Sequence, residues 1–249
     1  MTLFVSDMHF GRGTTADERA KELALVECLE AHAGAVDHLY LVGDVFDAYI
    51  EYRHLLPKGF VRFQALLAQW TDRGVPVTYL VGNHDPWHRD YFATELGVHV
   101  CPDALTTAHH GVRLHLAHGD GAAANGFADW LRAWLRHPVP VGLYRRLLPA
   151  DTGMDLAQWA NDRFGQHGPD PETADRLAAR ARSLLRTTAA TGVVFAHSHQ
   201  PALHAWPEGV YLNTGCWHRE RTLGRLDAHG IHLLRWNGAQ TLSIETRQL

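Results

Sequence analysis

The sequence predicts an α/β fold of four layers, a β-sandwich flanked by helices, with a helical insert in its second half. Strand-like apolar runs alternate with helical segments in the first third of the chain, and strand and turn signals dominate its last quarter. No strand pattern appears between Gly121 and about Ala190, which predicts the insert. We therefore expect a core of residues 1–120 and 191–249, with residues 121–190 inserted within the same domain.

The first third of the chain contains three predicted strands joined by two predicted helices. The strands are the apolar runs Leu3–Ser6, His38–Val42 and Val77–Val81. Asp17–His32 contains neither proline nor glycine and is predicted to be helical. A second helix is indicated by apolar residues at helical spacing, namely Phe60, Phe63, Leu67 and Trp70. Gly74 is expected to end that helix.

Further strands are predicted on both sides of the insert. They are Val112–Ala117, Val193–Ala196, Leu203–Trp206 and Val210–Asn213. The last part of the chain, roughly Arg221–Arg247, has the pattern of β-hairpins, and the turn sequences Ala228-His229-Gly230 and Asn237-Gly238 interrupt it. So many strands in the second half predict two sheets face to face, with helices outside.

The predicted insert contains four helical segments. The first carries an apolar stripe of Phe127, Trp130, Leu131, Trp134 and Leu135. Pro138 and Pro140 are expected to end it. A second stripe comprises Val141, Tyr144, Leu147 and Leu148, and further helices are predicted over Met154–Phe164 and Glu172–Thr188. Each stripe alone favours packing on the sandwich, whereas four helices beside a site favour a lid.

The composition is that of an ordinary globular protein and argues against several classes of protein. Of 249 residues, 46% are hydrophobic and 20% are charged, and the net charge of −4 argues against a nucleic-acid partner. The cysteines, Cys28, Cys101 and Cys216, lie far apart, which fits a reducing compartment. We see neither a signal peptide nor a membrane-spanning run, so we expect a cytoplasmic protein, and no obligate protein partner is indicated.

Five short polar motifs occur along the chain, and each directly follows a predicted strand. They are Asp7-Met8-His9, Gly43-Asp44-Val45-Phe46-Asp47, Gly82-Asn83-His84-Asp85, His118-Gly119-Asp120 and His197-Ser198-His199. Each motif alone has a simpler explanation, since Asp-x-His occurs by chance and Gly, Asn and Asp favour turns. Because ligands in such folds gather at the carboxyl ends of strands, the ordered set favours one shared site.

These motifs offer carboxylate, amide and imidazole ligands but no thiolate. Such a set suits Mn²⁺, Fe or Zn²⁺ rather than Ca²⁺, and we expect two divalent cations, with Mn²⁺ as the first choice. The carboxylate of Asp44 has two oxygens and can bridge two cations, which an imidazole cannot do. Two cations about 3.5–4 Å apart can clamp a phosphoryl oxygen and lower the pKa of a shared water to near 7. The motifs therefore predict a phosphoesterase that needs no serine or cysteine nucleophile.

His84 and Asp47 are the predicted catalytic residues. His84 follows Asn83, so it is expected to lie close to the phosphoryl group without binding metal. From there it can protonate the leaving oxygen or stabilise charge in the transition state. Asp47 lies one helical turn past Asp44 and is expected to orient His84.

The five motifs resemble those of the calcineurin-like metallophosphoesterase family, over roughly Met1–Asp120 and Gly192–Trp217. Asn213-Thr214-Gly215-Cys216 is also similar to a late Asn-x-Gly-Ser segment of that family. The resemblance implies a β-sandwich flanked by helices and a His84–Asp47 acid pair. It also implies two metal sites that share Asp44. The implied ligands are Asp7, His9, Asp44 and His199 for one metal, and Asp44, Asn83, His118 and His197 for the other.

Within that family the chain is most similar to the UDP-2,3-diacylglucosamine pyrophosphatases, hydrolases of the lipid A pathway. The similarity lies in Ser6–Gly11, in the second motif with Pro57-Lys58-Gly59, in the position of the insert and in Leu143–Phe164. It implies cleavage of UDP-2,3-diacylglucosamine to UMP and 2,3-diacylglucosamine 1-phosphate. The chain departs from this branch at His84, where many of these enzymes carry arginine.

A lipid substrate gives the insert a function. Its Trp and Leu stripes are expected to form a lid whose groove takes two acyl chains. Asn125 and Arg163 are the expected substrate contacts. The arginines expected to face phosphate or anionic head groups at the inner membrane surface are Arg132, Arg136, Arg145 and Arg146.

Two other functions remain open. The same core acts on nucleoside polyphosphates, cyclic nucleotides or phosphoproteins in other members of the family, and the His84–Asp47 pair keeps that alternative open. The apolar insert counts against a small soluble substrate. A metal-free scaffold is the second alternative, but all seven ligand positions carry suitable residue types.

Overall fold

Two β-sheets and the helices outside them form the fold in the computed structural model. The structure describes residues 1–123, 126, 134, 136–164 and 168–248. Its strands are β1 (Thr2–Val5), β2 (His38–Val42), β3 (Val77–Leu80), β4 (His99–Cys101), β5 (Leu105–His109), β6 (Val112–Leu116), β7 (Gly192–Phe195), β8 (Ala202–Trp206), β9 (Gly209–Asn213), β10 (Thr222–Asp227), β11 (Gly230–Trp236) and β12 (Thr241–Arg247). Its helices are α1 (Thr15–Glu30), α2 (Val61–Asp72), α3 (Tyr91–Thr94), α4 (Asp120–Ala123), α5 (Pro138–Leu147), α6 (Ala150–Phe164), α7 (Pro171–Thr187) and α8 (Trp217–Glu220).

Both sheets are mixed, and each has parallel strands at its centre. The first sheet has the order β12-β11-β10-β1-β2-β3-β4, and the second has the order β5-β6-β7-β9-β8. The strands β1 to β4 run parallel to one another, while β10 to β12 form the antiparallel hairpins of the first sheet. In the second sheet β6, β7 and β9 are parallel. The carboxyl ends of parallel strands therefore form one edge in each sheet.

The period-2 alternation of β1 shows how the layers are built. Phe4 packs between the sheets with residues of β2, β6 and β9, such as Leu114 and Leu212. Leu3 and Val5 point to the other face, where they meet α1 and α2. A third cluster joins Leu177 and its neighbours in α7 to the outer face of the second sheet. The layers are helix, sheet, sheet and helix, so the predicted four-layer fold is confirmed.

The predicted elements match the structure closely in the core. Every strand predicted there is present within a residue or so of its expected bounds, and the two turn sequences near the end of the chain join β10 to β11 and β11 to β12. The short strands β4 and β5 were not predicted. Pro138 and Pro140 lie in the first turn of α5, where proline's missing N–H is tolerated.

The predicted insert divides into two parts. Helix α7 buries Leu177, Ala181 and Leu185 against the second sheet and so belongs to the outer layer of the sandwich. The described residues before it, with α5 and α6, extend beside the motif loops. The first apolar stripe lies outside the described residues apart from Trp134. No helix in the described ranges is both long enough and apolar enough to cross a membrane.

Candidate binuclear metal centre

The five motifs lie directly after β1, β2, β3, β6 and β7, at the carboxyl edges of the two sheets. These are the parallel strands, so their ends face the same side of the sandwich. All the predicted ligand side chains are brought together there. His197 is half-buried and Asn83 is exposed, while the other predicted ligands are buried.

The backbone at this edge is strained. Asp7, His9, Asp44, His197 and His199 have φ values of 52°, 45°, 50°, 67° and 54°, in the left-handed region that non-glycine residues rarely adopt. These five are the majority of such residues in the described chain. Strain of this kind persists only when surrounding structure holds it, and it gathers at functional sites.

One group of ligand atoms comes from Asp7, His9 and His199. The Nε2 atom of His199 lies 3.2 Å from Oδ1 of Asp7 and 3.1 Å from Nε2 of His9. The Nε2 atom of His9 lies 3.8 Å from the same carboxylate oxygen. Three ligand atoms thus face one small volume, and all three residues are buried.

A second group comes from Asp44, His118 and His197, whose ligand atoms lie within 4.8 Å of one another. The Nε2 atom of His118 is 3.2 Å from Oδ2 of Asp44 and 3.1 Å from Oδ1 of Asn83. The other ring nitrogen of His118 is 2.9 Å from the carbonyl oxygen of Val42, which fixes the orientation of the ring.

Asp44 lies between the two groups. Its Oδ2 atom faces His118 and also lies 4.0 Å from Nε2 of His9. Its Oδ1 atom accepts a hydrogen bond of 2.9 Å from the backbone N–H of His84. Burial acts to raise the pKa of this carboxyl, but His118 and His84 outweigh that effect and hold the pKa well below its usual range. Asp44 is therefore an anion that lies between two groups of candidate metal ligands.

The donor set fits a pair of divalent cations. Oδ1 of Asp7 is buried and accepts no hydrogen bond, although the nitrogens of His9 and His199 lie close by. A buried carboxylate oxygen without a donor is costly unless a cation takes its place. Carboxylate, amide and imidazole donors without thiolates are the ligands of Mn²⁺, Fe and Zn²⁺.

His84 and Asp47, the predicted acid pair, lie close together, but their contacts differ from the expected ones. The Nδ1 atom of His84 is 3.1 Å from the main-chain carbonyl of Asp47 and 3.7 Å from its carboxylate. That carboxylate lies nearer to Nδ1 of His9, at 3.2 Å. Asp47 therefore contacts His84 mainly through its main chain and a candidate metal ligand through its side chain.

Several supporting residues were not predicted. Asp85 ends the third motif, yet its carboxylate accepts hydrogen bonds from the backbone N–H groups of Val45 (2.7 Å) and Gly82 (2.9 Å). It thereby joins the loops after β2 and β3. Burial, with the nearby charge of Asp44, raises the pKa of Asp85 to about 6. The sequence signal for Asp85 is a carboxylate at the end of the turn-like motif Gly-Asn-His-Asp.

Two further side chains hold the outer loops of the centre. The Nζ atom of Lys21 in α1 donates to the carbonyl oxygens of Met8 (3.0 Å) and His9 (2.8 Å). Asn213 Nδ2 donates to the carbonyl oxygen of Ala196 and to Ser198 Oγ, which fixes the His-x-His loop. The sequence had singled out the segment that contains Asn213 by its resemblance, but it gave no signal for Lys21, which lies 12 residues from His9.

Glycine is required where two motif loops approach each other. A Cβ atom at Gly43, whose φ is +83°, would collide with the ring of His118. A Cβ atom at Gly82 would collide with the carboxylate and backbone of Asp44. These glycines allow ligands from different strands to come together.

The residues predicted for substrate and head-group contacts have different outcomes. Asn125 and Arg132 lie outside the described residues. Arg163 is exposed near the end of α6, and Arg146 is exposed on α5. Arg136 donates to the carbonyl of Gly82 at 2.9 Å and pairs with Asp120 at 3.1 Å.

Arg145 donates to the carbonyl oxygen of Trp87 at 2.7 Å. The guanidinium groups of Arg136 and Arg145 therefore hold the insert against the loop of the third motif. Neither group is fully free to bind a head group.

The comparisons with known proteins agree with this geometry. The family model for calcineurin-like phosphoesterases matches residues 1–201. The UDP-2,3-diacylglucosamine hydrolase of Porphyromonas gingivalis is 40% identical over 148 residues, a match that spans 59% of this chain and only 56% of that protein. The protein of the same name from Edwardsiella ictaluri is 27% identical over 243 residues, covering 94% of this chain and 91% of that one.

Solved structures support the same fold. A phosphoesterase from E. coli aligns with a TM-score of 0.50 and 16% identity, covering 99% of this chain and 98% of that chain. A dimetal phosphatase from Danio rerio aligns with a TM-score of 0.50 and 12% identity over the same shares. At such identities the likeness concerns the fold alone. The match over residues 1–201 shows that the chain belongs to the calcineurin-like phosphoesterase family.

Proposed function

We propose that this protein hydrolyses the pyrophosphate bond of UDP-2,3-diacylglucosamine and releases UMP and 2,3-diacylglucosamine 1-phosphate. The observation that carries the proposal is a binuclear donor set beside an insert with exposed apolar side chains. The relatives from P. gingivalis and E. ictaluri, which are named for this activity, support the choice of substrate.

The proposed cations are divalent, with Mn²⁺ as the first choice. Asp44 is proposed to bridge them. The remaining ligands are Asp7, His9 and His199 for one cation, and Asn83, His118 and His197 for the other. When bound, the cations supply the positive charge that activates water and stabilises charge on the phosphoryl oxygens. Support comes from the two groups of ligand atoms and from the unpartnered carboxylate oxygen of Asp7.

His84 is the proposed general acid or charge stabiliser. Its Nδ1 atom is engaged with the carbonyl oxygen of Asp47, so Nε2 is the ring nitrogen left for substrate. A protonated His84 can then donate from Nε2 to the leaving oxygen. Its backbone N–H is bonded to Asp44, which holds the residue beside the proposed bridging carboxylate.

The insert before α7 is the proposed lid for the acyl chains. Val139, Leu143 and Leu147 lie at i, i+4 and i+8 on α5 and are 69%, 56% and 67% exposed. Trp159 on α6 is 58% exposed. Such a concentration of exposed apolar side chains marks a binding surface for lipid, and Arg146 adds positive charge on the same helix.

We also propose that this surface contacts the inner membrane, where a diacylated substrate resides. Arg163 and Asn125 remain the proposed direct contacts with substrate. A second candidate function is hydrolysis of a soluble phosphate ester. The contact between His84 and Asp47 favours this function, because it is the acid pair expected in general members of the family.

The deciding experiment measures turnover with Mn²⁺ on two substrates. One is UDP-2,3-diacylglucosamine in detergent micelles, and the other is bis-(p-nitrophenyl) phosphate. UMP release from the lipid at a rate far above the generic ester would support the pyrophosphatase. Hydrolysis of the generic ester alone would retain the metal centre and reject the lipid substrate.

A further inference from the structure

Helix α6 of the insert meets the catalytic centre at Asp47. The Nε2 atom of Gln158 donates a hydrogen bond of 2.8 Å to Oδ2 of Asp47. Asn161, almost one turn further along α6, donates through Nδ2 to the main-chain carbonyl of Asp47. Asp47 is 1% exposed, so its polar atoms depend on protein partners.

Besides Arg12, whose Nη1 atom lies 3.8 Å from Oδ1, Asp47 contacts two histidines of the candidate centre. Its Oδ1 atom lies 3.2 Å from Nδ1 of His9, the ring nitrogen opposite the one that faces the metal group. Its carbonyl oxygen lies 3.1 Å from Nδ1 of His84. The two amides of α6 therefore hold the same carboxylate and carbonyl that orient His9 and His84.

This part of the insert is weakly packed against the core. Helix α5 buries Val141, and α6 buries none of its apolar side chains among those described. The contacts between this part of the insert and the motif loops are largely polar. They are made by Arg136, Arg145, Gln158 and Asn161. Segments with few buried apolar contacts open at low cost in free energy. Opening of α6 would remove both amide contacts from Asp47.

We propose that Gln158 and Asn161 are positioning residues that couple closure of the insert to the catalytic centre through Asp47. With the insert closed, the two amides fix Asp47, and Asp47 holds His9 and His84 in their working orientations. The inference rests on the proposed phosphoesterase function but does not require the lipid substrate. Closure of the insert then completes the centre.

The test compares Gln158→Ala, Asn161→Ala and the double variant with wild type. Asp155→Ala is the matched control, because Asp155 is exposed on the same helix. All are assayed as the full chain for kcat and KM with bis-(p-nitrophenyl) phosphate. Mn²⁺ affinity is measured separately, by competition with a chelating dye in the absence of substrate. Thermal melting monitors the fold.

The double variant is expected to lose about 10–100-fold in kcat and about 10-fold in Mn²⁺ affinity, the range seen when outer partners of metal ligands are removed. KM is expected to stay within about twofold, since the interaction acts on the reacting groups. The control is expected to have the kcat, KM and Mn²⁺ affinity of wild type. All variants are expected to have the melting temperature of wild type.

Wild-type kcat and Mn²⁺ affinity in the double variant would overturn the coupling, and so would a loss confined to KM. Wild-type protein that binds Mn²⁺ but hydrolyses no phosphate ester would instead reject the proposed function. The Mn²⁺ affinities would still test whether α6 acts on His9 through Asp47.

Discussion

The motif loops and the part of the insert before α7 differ in how firmly their side chains are packed. The loops are buried, strained in backbone and joined by internal hydrogen bonds, as at Asp85 and Asn213. Helices α5 and α6 expose apolar side chains and contact the core largely through polar groups. A preorganised centre suits chemistry that requires fixed charges, whereas a loosely held surface suits an apolar ligand. The candidate metal ligands and the exposed apolar side chains thus lie in separate regions, which meet at Asp47.

The largest effect is expected at the core, for Asp44→Ala. Both proposed cations lose a ligand, so turnover of every substrate should fall by more than about 100-fold, beyond the usual cost of outer partners. Metal analysis of the purified variant should show less bound Mn²⁺ than wild type. Near-normal turnover would overturn the two-metal centre.

His84→Ala is expected to separate catalysis from metal binding within the core. Loss of a positioned acid should lower kcat by about 10²-fold or more on both lipid and generic esters. Bound Mn²⁺ should remain at the wild-type level, because His84 is not a proposed ligand. Loss of kcat together with loss of bound Mn²⁺ would instead make His84 a ligand, which the group of His9, Asp44 and His84 atoms would allow.

Trp159→Ser tests whether the insert acts on the lipid substrate. Removing this exposed aromatic should lower turnover of UDP-2,3-diacylglucosamine by about 10-fold, given the 1.5–3 kcal/mol typical of a large buried apolar side chain. Turnover of bis-(p-nitrophenyl) phosphate should not change. Equal loss on both substrates would show that Trp159 acts on the catalytic centre, and an unaffected lipid rate would remove Trp159 from the lid.

The smallest effect is expected for Gly142→Ala, in the interior of α5. A Cβ atom there meets nothing within 4 Å, so the change should stabilise the helix by about 0.5–1 kcal/mol. Thermal melting would report this gain, with activity on the generic ester unchanged. Gly82→Ala is the core counterpart, where the new Cβ atom collides with Asp44 and activity should fall. Equal effects of the two substitutions on stability and activity would contradict the difference in packing between α5 and the motif loops.

Much of the core was predictable because it depends on local patterns. Apolar runs such as His38–Val42 became strands with the same bounds, and Asn237-Gly238 became a hairpin turn. The candidate ligands could be placed at strand ends because each motif follows a predicted strand, and the structure brings their side chains together. Their strained φ values were not visible, since only the packed loops enforce them.

Long-range contacts account for what the sequence could not reveal. Gln158 and Asn161 lie 111 and 114 residues from Asp47, and no spacing rule connects them. The carboxylate of Asp47 was expected to face His84, yet it lies nearer to His9, which follows from how two separate loops pack. The strand β4 has three residues, and β5 reads Leu-Thr-Thr-Ala-His, so neither gave a distinct apolar run.

The place of β1 in the first sheet has a consequence for biosynthesis. Its parallel partner β2 follows within 40 residues, but its other partner is β10, with Leu3 opposite Arg225. At ribosomal rates of 5–20 residues per second, this edge of β1 waits about 10–40 s for its partner. The nascent chain thus carries an uncovered edge of an apolar strand until β10 has been translated, and only then is the first motif framed on both sides.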